Sequence, residues 1–242
     1  MTTIAVLADP PIAEVVLPSL GDPFEEEGRV ALYSAMLVDV CEAIQRGGAD
    51  LLVNYPSADR SPASDPEAAL RGALDDELDD PARYEVQVGE TYAGRVGNTL
   101  AHLLESENEE TVAVVEPTAV LLRREHIGSA AMKLRSSEVV LGPTPDAGVY
   151  FAGFGEPVDF ADAFATPAVE TLTDRAIDRE LSVDFLPMVP AVADPASLAT
   201  VVAVVRARLA AGRNVPPRTA ARIEELGLGV GAEGDLVRSD RP

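Results

Sequence analysis

Short apolar runs alternate with stretches of helical period along most of the chain. Thr3–Ala8 and Leu51–Tyr55 are compact apolar runs that predict strands. Between them, Glu26–Arg46 places Tyr33, Met36, Leu37, Val40, Cys41 and Ile44 on one helical stripe. A short helix is expected over Pro66–Leu78, opening after Asp65 as N-cap with a proline at its first position. Tyr84–Val88 and Thr111–Val115 read as strands on either side of a helix around Glu90–Leu104. A helix over Arg123–Leu134 leads to a strand at Glu138–Leu141, and Gly148–Phe154 returns as a further strand across the turn-rich insert Gly142–Ala147. Helices follow at Ala168–Leu181, Pro195–Gly212 and Pro217–Leu226, with a strand-like Val183–Val189 between the first two.

Strands that alternate with helices need crossover connections, which place helices on both faces of a mostly parallel sheet. The pattern therefore predicts an α/β three-layer sandwich, with the Gly148–Phe154 return as an antiparallel member. Ser57–Pro66 is rich in Pro, Ser and Asp but sits inside the alternation, so it reads as a surface loop rather than a linker. One domain is expected over residues 1–228, followed by a flexible, polar tail over 229–242.

Charge changes the picture. The 242 residues carry 41 Asp and Glu against 19 Lys and Arg, a formal charge of −22, and Lys133 is the one lysine. Acids spread along the whole chain, with lysine almost removed, point to adaptation to high salt, where screening shortens the range of repulsion. An acidic patch for a basic partner is the alternative, and the dispersal of the acids weighs against it. Nucleic acid is excluded as a partner because phosphates require clustered positive charge. No apolar run is long enough to span a membrane, and Met1-Thr2-Thr3 lacks a basic leader, so a cytoplasmic location is expected. Cys41 is the single cysteine and falls on the apolar stripe, which predicts a core residue.

Several common signatures are missing: a phosphate-binding glycine loop with lysine, a dinucleotide glycine fingerprint, and zinc spacing of Cys and His. His102 and His126 lie 24 residues apart in helical stretches, and His102 reads as a helix-surface residue. The segment Val139–Phe154 is the most informative. Its strand ends at Leu141, and a Gly/Pro-rich loop then presents Asp146 at the carboxyl edge of the sheet, where open α/β sheets bind ligands. An ordinary tight turn with a solvated aspartate fits the same spacing.

The block Gly142-Pro143-Thr144-Pro145-Asp146-Ala147-Gly148 with Tyr150 and Gly153 resembles the Gly-Pro-x-x-Asp-Gly-Gly-Tyr-Tyr-Leu-x-Gly stretch of a family of small glycosyltransferase-A-like proteins. That family includes glycosyltransferases assigned to arsenosugar biosynthesis and is distantly related to 2-phospho-L-lactate guanylyltransferase. Arg29, Leu32-Tyr33, Met36-Leu37 and Asp39 are similar to its Arg/Ala-rich helix, and Gln87-x-Gly89 with Gly94-Arg95 resembles its Gln-x-Gly…Leu-Gly-Glu-Arg block. Val112–Val115 with Pro117-Thr118 is similar to its strand ending in x-Asp-x-Pro-x-Leu. The likeness runs from about Arg29 to Leu198, and the Gly142–Gly148 block is its specific part. Three departures stand beside it. Asp9–Leu17 replaces the family's basic Gly-x-x-Lys-Thr-Arg-Leu opening without a single basic residue. Val115 occupies the position of a family aspartate, with Glu116 one place on, and in Ala191–Leu198 both leading acids of the family segment are gone, with Asp194 standing where threonine is expected.

The resemblance implies a nucleotide-diphospho-sugar transferase fold and a glycosyltransferase-like enzyme with a nucleoside-diphosphate-sugar donor and a divalent metal, Mg²⁺ or Mn²⁺. Asp146 would orient the acceptor or assist as base, and Glu116 and Asp194 would hold the metal. Arg95 would contact phosphate, and Arg29, Gly142, Pro143 and Gly148 would complete the donor site. A nucleotidyltransferase and a catalytically degenerate binding module are the alternatives. The charge itself leads to a test: dialysis from molar KCl to ~0.1 M, where the Debye length grows to about 10 Å, is expected to lower the melting temperature progressively. A flat melting temperature across that range refutes salt adaptation.

Overall fold

In a computed structural model, which describes residues 2–21 and 25–238, seven strands form one sheet in the order β3-β2-β1-β4-β6-β5-β7. They are β1 (Thr3–Leu7), β2 (Asp50–Tyr55), β3 (Arg83–Val86), β4 (Val112–Val115), β5 (Val139–Pro143), β6 (Val149–Phe154) and β7 (Val183–Phe185). β1 pairs in parallel with β2 and β4, β2 with β3, and β5 with β7, whereas β6 runs antiparallel to both β4 and β5. The expected α/β sandwich with one returning strand is therefore the fold observed.

Every residue of β1 is buried, as befits a central strand covered on both faces. Ile4 and Val6 enter the core beneath α1 (Glu26–Arg46), α2 (Pro66–Leu74), α4 (Arg124–Lys133), α6 (Pro195–Ala210) and α7 (Pro217–Glu225). Ala5 and Leu7 enter the opposite core, beneath α3 (Tyr92–Ala101) and α5 (Ala168–Ile177). Along α1 the predicted stripe is buried from Leu32 to Ile44, including Cys41, whose thiol burial pushes up to about 12. Among the described residues, no helix is long and apolar enough to cross a membrane.

Several ends differ from the pattern for local reasons. α2 stops at Leu74, and Asp65 caps its start by accepting from the Ala68 amide at 2.9 Å. α5 stops at Ile177 ahead of Glu180, whose φ of 59° is incompatible with helix. A π-helical turn, His102–Ser106, extends α3. β7 ends at Phe185, although the Leu186 and Val189 amides still reach Leu141 and Pro143 at 2.8 and 3.1 Å. The expectation of a flexible tail from residue 229 needs correction. Leu228–Val230 (β8) and Leu236–Arg238 (β9) form an antiparallel hairpin against α6 and α7. Gly227 and Gly234 supply its positive-φ turns, and Leu228 is buried. The last four positions of that tail lie outside the described residues.

Buried carboxylates of α1 help hold α7, with Glu42 pairing with Arg218 at 3.5 Å and Asp39 capping the helix. Asp39 accepts from the Thr219 amide at 2.8 Å and the Arg218 amide at 3.3 Å, so a side chain of α1 satisfies orphan donors at the start of α7. Asp39→Ala leaves both amides without an acceptor and is expected to destabilise the fold by about 1–3 kcal/mol. Asp39→Asn, which keeps one carbonyl oxygen, is expected to cost less. Denaturant unfolding that ranks the two variants in the reverse order refutes this capping role.

Candidate functional site

Parallel strands β1 and β4 end side by side, and the residues following them stand at one edge of the sheet. Asp9 follows β1 after Ala8, and Glu116 directly follows β4. The antiparallel β6 then brings a third acid to the same edge. Val115 pairs with Phe151, and the Glu116 amide donates to the Tyr150 carbonyl at 2.9 Å. The β5–β6 turn that carries Asp146 therefore lies beside Glu116.

The turn is tightly determined. Thr144 and Gly148 close it through an amide–carbonyl bond of 3.0 Å, and the Thr144 hydroxyl donates to the Asp146 carboxylate. Ala147 has φ 64°, and its carbonyl accepts the Val169 amide at the start of α5 at 3.2 Å. Gly142 and Gly148 have steric roles here. A Cβ at 142 would stand 2.6 Å from the Tyr150 ring, and one at 148 would stand 2.7 Å from the Thr144 hydroxyl. Pro143 ends β5 opposite Val149 at a register shift. These three residues thus shape the turn that presents the exposed Asp146 side chain.

Glu116 is half-buried and accepts from the Tyr92 hydroxyl of α3 at 2.6 Å. Burial raises its carboxyl above the ordinary range and the neighbouring Asp146 charge raises it further, with the Tyr92 bond opposing. Desolvation also raises Asp9 although its side chain reaches solvent, and the Arg95 guanidinium counters that shift. The Asp9 amide donates to the buried Tyr33 hydroxyl at 3.1 Å. Tyr33 and Tyr92 are both held neutral, chiefly by burial, with Asp9 and Glu116 adding to the effect.

Arg95 enters from the first turn of α3, 5.9 Å above the Tyr92 ring. It is placed by the Gln87-x-Gly89 block. Gln87 is buried and donates to the Asn54 carbonyl at 2.7 Å. Gly89, at φ 131°, brings its Cα against the backbone of Gly94 and Arg95, where a Cβ would stand 2.8 and 2.9 Å away. Arg95 spends one terminal nitrogen on the Glu90 carbonyl at 3.4 Å, and its buried Nε has no hydrogen-bond partner. Arg29 has a buried, unpartnered Nε as well, and holds the Ala13 carbonyl at 3.3 Å. It thus stands over the β1–α1 loop.

The structure places Asp146 beside Glu116, and Arg95 beside Asp9 and Tyr92. Asp194 has other work. It is the N-cap of α6 and accepts from the Ser197 amide and hydroxyl, both at 2.8 Å, which holds its carboxyl below the ordinary range. Val115 is in the core, so the acid at the end of β4 is Glu116, one place beyond the family position. Asp9, Tyr33 and Tyr92 escaped the sequence reading, although an acid directly after the first strand was a usable signal. Among the described residues, the one trio of potential metal-ligand atoms within 4.8 Å of each other is Glu85, His102 and Glu107. Both of its carboxylates are already paired with Arg83.

No protein-family profile matches the chain, and no curated protein matches it in sequence. Solved structures do match. A protein of Desulfovibrio desulfuricans G20, provisionally named a nucleotide-diphospho-sugar transferase, superposes with a TM-score of 0.77 at 18% identity, over 93% of this chain and 94% of that one. A cytidylyltransferase from Leptospira borgpetersenii serovar Hardjo-bovis (strain JB197) superposes with a TM-score of 0.52 at 8% identity, again over 93% and 94%. The fold is that of the nucleotide-diphospho-sugar transferases.

The raised Glu116 carboxyl has a thermodynamic consequence. A folded-state pKa above the unfolded one favours the protonated native form, so the native state loses stability as pH rises from the ordinary glutamate value of about 4.3 through the folded value. Glu116→Gln can still accept from Tyr92 and removes that penalty. The variant is expected to melt higher than the wild type at neutral pH, with the gap closing near pH 4. A gap that is constant or widens on acidification refutes the assignment.

Proposed function

We infer that the chain is a nucleotide-sugar-dependent transferase whose donor diphosphate docks at the carboxyl edge around Asp9, Glu116, Asp146 and Arg95. The observation that carries this reading is the pairing of two mutually repelling carboxylates with an arginine whose buried Nε lacks a partner. A diphosphate leaving group needs its developing charge neutralised. Arg95 offers a planar fork suited to phosphate oxygens, and Arg29 offers a second one over the β1–α1 loop. The two acids suit a hard cation. Mg²⁺ is commonly held by one or two carboxylates together with substrate phosphates and waters, so Glu116 and Asp146 would hold Mg²⁺ or Mn²⁺ and the donor would complete the shell. The metal, when bound, polarises the phosphoryl oxygens. Asp194, committed to capping α6, is left out of that set. Asp146 is exposed and so also accessible to an acceptor hydroxyl, which it would orient or deprotonate.

Two further readings have their own support. The likeness to a cytidylyltransferase favours nucleotidyl transfer on the same edge. The acidic Asp9–Leu17 opening, without a basic residue, favours a binding module that has lost turnover. The kinship with arsenosugar-type glycosyltransferases is part of the first reading and rests on the Gly142–Gly148 block. A small nucleotide partner and a cytoplasmic setting belong to the same proposal.

Calorimetric titration of GDP, UDP and CTP in molar KCl, with Mn²⁺ and again with EDTA, distinguishes these readings. Metal-dependent binding is expected, and Arg95→Ala should weaken it by about 1.5–3 kcal/mol, roughly ten- to a hundredfold in Kd. Asp146→Asn should abolish turnover with the melting temperature unchanged. Silence from all three nucleotides with and without metal refutes both enzymatic readings.

A further inference from the structure

A second gathering of positive charge lies within the helical layer on the α1 side, apart from the carboxyl-edge residues. A cavity of about 170 Å³ opens between α1, the β4–α4 loop, the end of α6 and the start of α7. Arg46, Arg123, Arg124 and Arg208 all line it. In a chain where acids outnumber bases by 41 to 19, four arginines around one cavity call for an account.

Ordinary surface pairing explains only some of them. Arg46 is paired with Glu42 at 2.8 Å. Glu125 stands 3.9 Å from Arg123 and 3.6 Å from Arg124, an exposed and loose association. Asp39, the remaining acid of the lining, is turned to the α7 amides. Arg208 is half-buried, and among the described residues its guanidinium forms no ion pair and donates no hydrogen bond. Its nitrogens are not among the buried atoms that lack a partner, so they reach water and are free to meet an anion entering the cavity.

His126 reports where these charges converge. It is buried at the first turn of α4, and its Nδ1 accepts the Arg123 amide at 3.3 Å, which leaves the proton on Nε2. Burial lowers its pKa first, and Arg123 and Arg208 both lower it further, against an opposing effect from Glu125. Two guanidinium groups from different elements therefore act on one imidazole, and Glu125 is the single acid that counters them.

We propose that this cavity binds a small tetrahedral dianion, a phosphate or phosphomonoester, held chiefly by Arg208 and Arg123. Guanidinium forks approaching from α6 and from the β4–α4 loop suit an ion with oxygens on several sides better than a planar carboxylate. Val120 and Val215 add apolar wall, which gives room for a short organic stem. The site is independent of the carboxyl-edge reading and survives its failure.

The test is calorimetric titration of the full chain with inorganic phosphate and, separately, with glycerol 3-phosphate, at ionic strength held constant with chloride. Saturable binding of either is expected, with the tighter of the two identifying free ion or ester. Arg208→Ala should weaken it about tenfold or more, as the loss of a charge-assisted contact does, and Arg208→Lys should restore part of it. Arg95→Ala, at the other site, should leave it unchanged. A proton NMR titration gives a second readout, because the chain has only two histidines. Saturation with sulfate, which does not titrate in this range, should raise the pKa of His126. Binding that Arg95→Ala abolishes and Arg208→Ala spares overturns the proposal, as does an unresponsive His126 without titration heat.

Discussion

Backbone hydrogen bonding between β4 and β6 sets Val115 opposite Phe151 and ties the Glu116 amide to the Tyr150 carbonyl at 2.9 Å. Much else at the carboxyl edge follows from that register. Because β6 runs against β4, the turn before β6 must sit at the end of β4, which is why Asp146 perturbs Glu116 across 30 residues of sequence. A slip of one residue would turn the fully buried Tyr150 and Phe151 to opposite faces and displace both acids together. Gly142 belongs to the same constraint, since the Tyr150 ring fills the space where its Cβ would stand.

Two opposed groups of helices divide the labour around this sheet. The layer with α3 carries Arg95 and Tyr92 toward the acids, and the layer with α1, α4, α6 and α7 contains the arginine-lined cavity. In a chain of net charge −22, unpartnered arginine atoms are informative because acids abound to satisfy them. Arg29 and Arg95 each keep a buried Nε without a partner, and Arg208 lacks one altogether among the described residues. By contrast, Arg83 and Arg218 are tied to two or three carboxylates each, as the composition leads one to expect.

The alternation of apolar runs made the sheet and its helices legible, because a strand covered on both faces is written as a continuous apolar run, as in Ile4–Leu7. The returning strand was legible for a different reason: Gly142–Ala147 leaves too little chain for a crossover. Asp146 could be singled out since strand, turn and acid are adjacent in sequence. Tyr33 and Tyr92 could not, because an aromatic residue on a helical stripe looks the same whether its hydroxyl meets a carboxylate or packs in the core. Asp194 was misleading in the opposite sense. An acid before a helix that opens with proline is equally a cap, and the Ser197 amide and hydroxyl occupy it in that role. The hairpin of β8 and β9 was concealed by its glycines, which read as fraying but serve as turns.

Ala147 occupies the left-handed region at φ 64°, where the resembling family has glycine. For an alanine that conformation costs roughly 1–2 kcal/mol, and three contacts hold it: Thr144 to Gly148, Thr144 to Asp146, and Val169 to the Ala147 carbonyl. Glycine would give the turn many alternative shapes in the unfolded chain and several in the folded one, whereas alanine leaves few. The carboxylate at its tip is thereby confined before any ligand arrives. In the proposed function, capture of a cation or a sugar hydroxyl at Asp146 would then sacrifice little loop entropy, so the turn would exchange a small static strain for a smaller entropic loss on association.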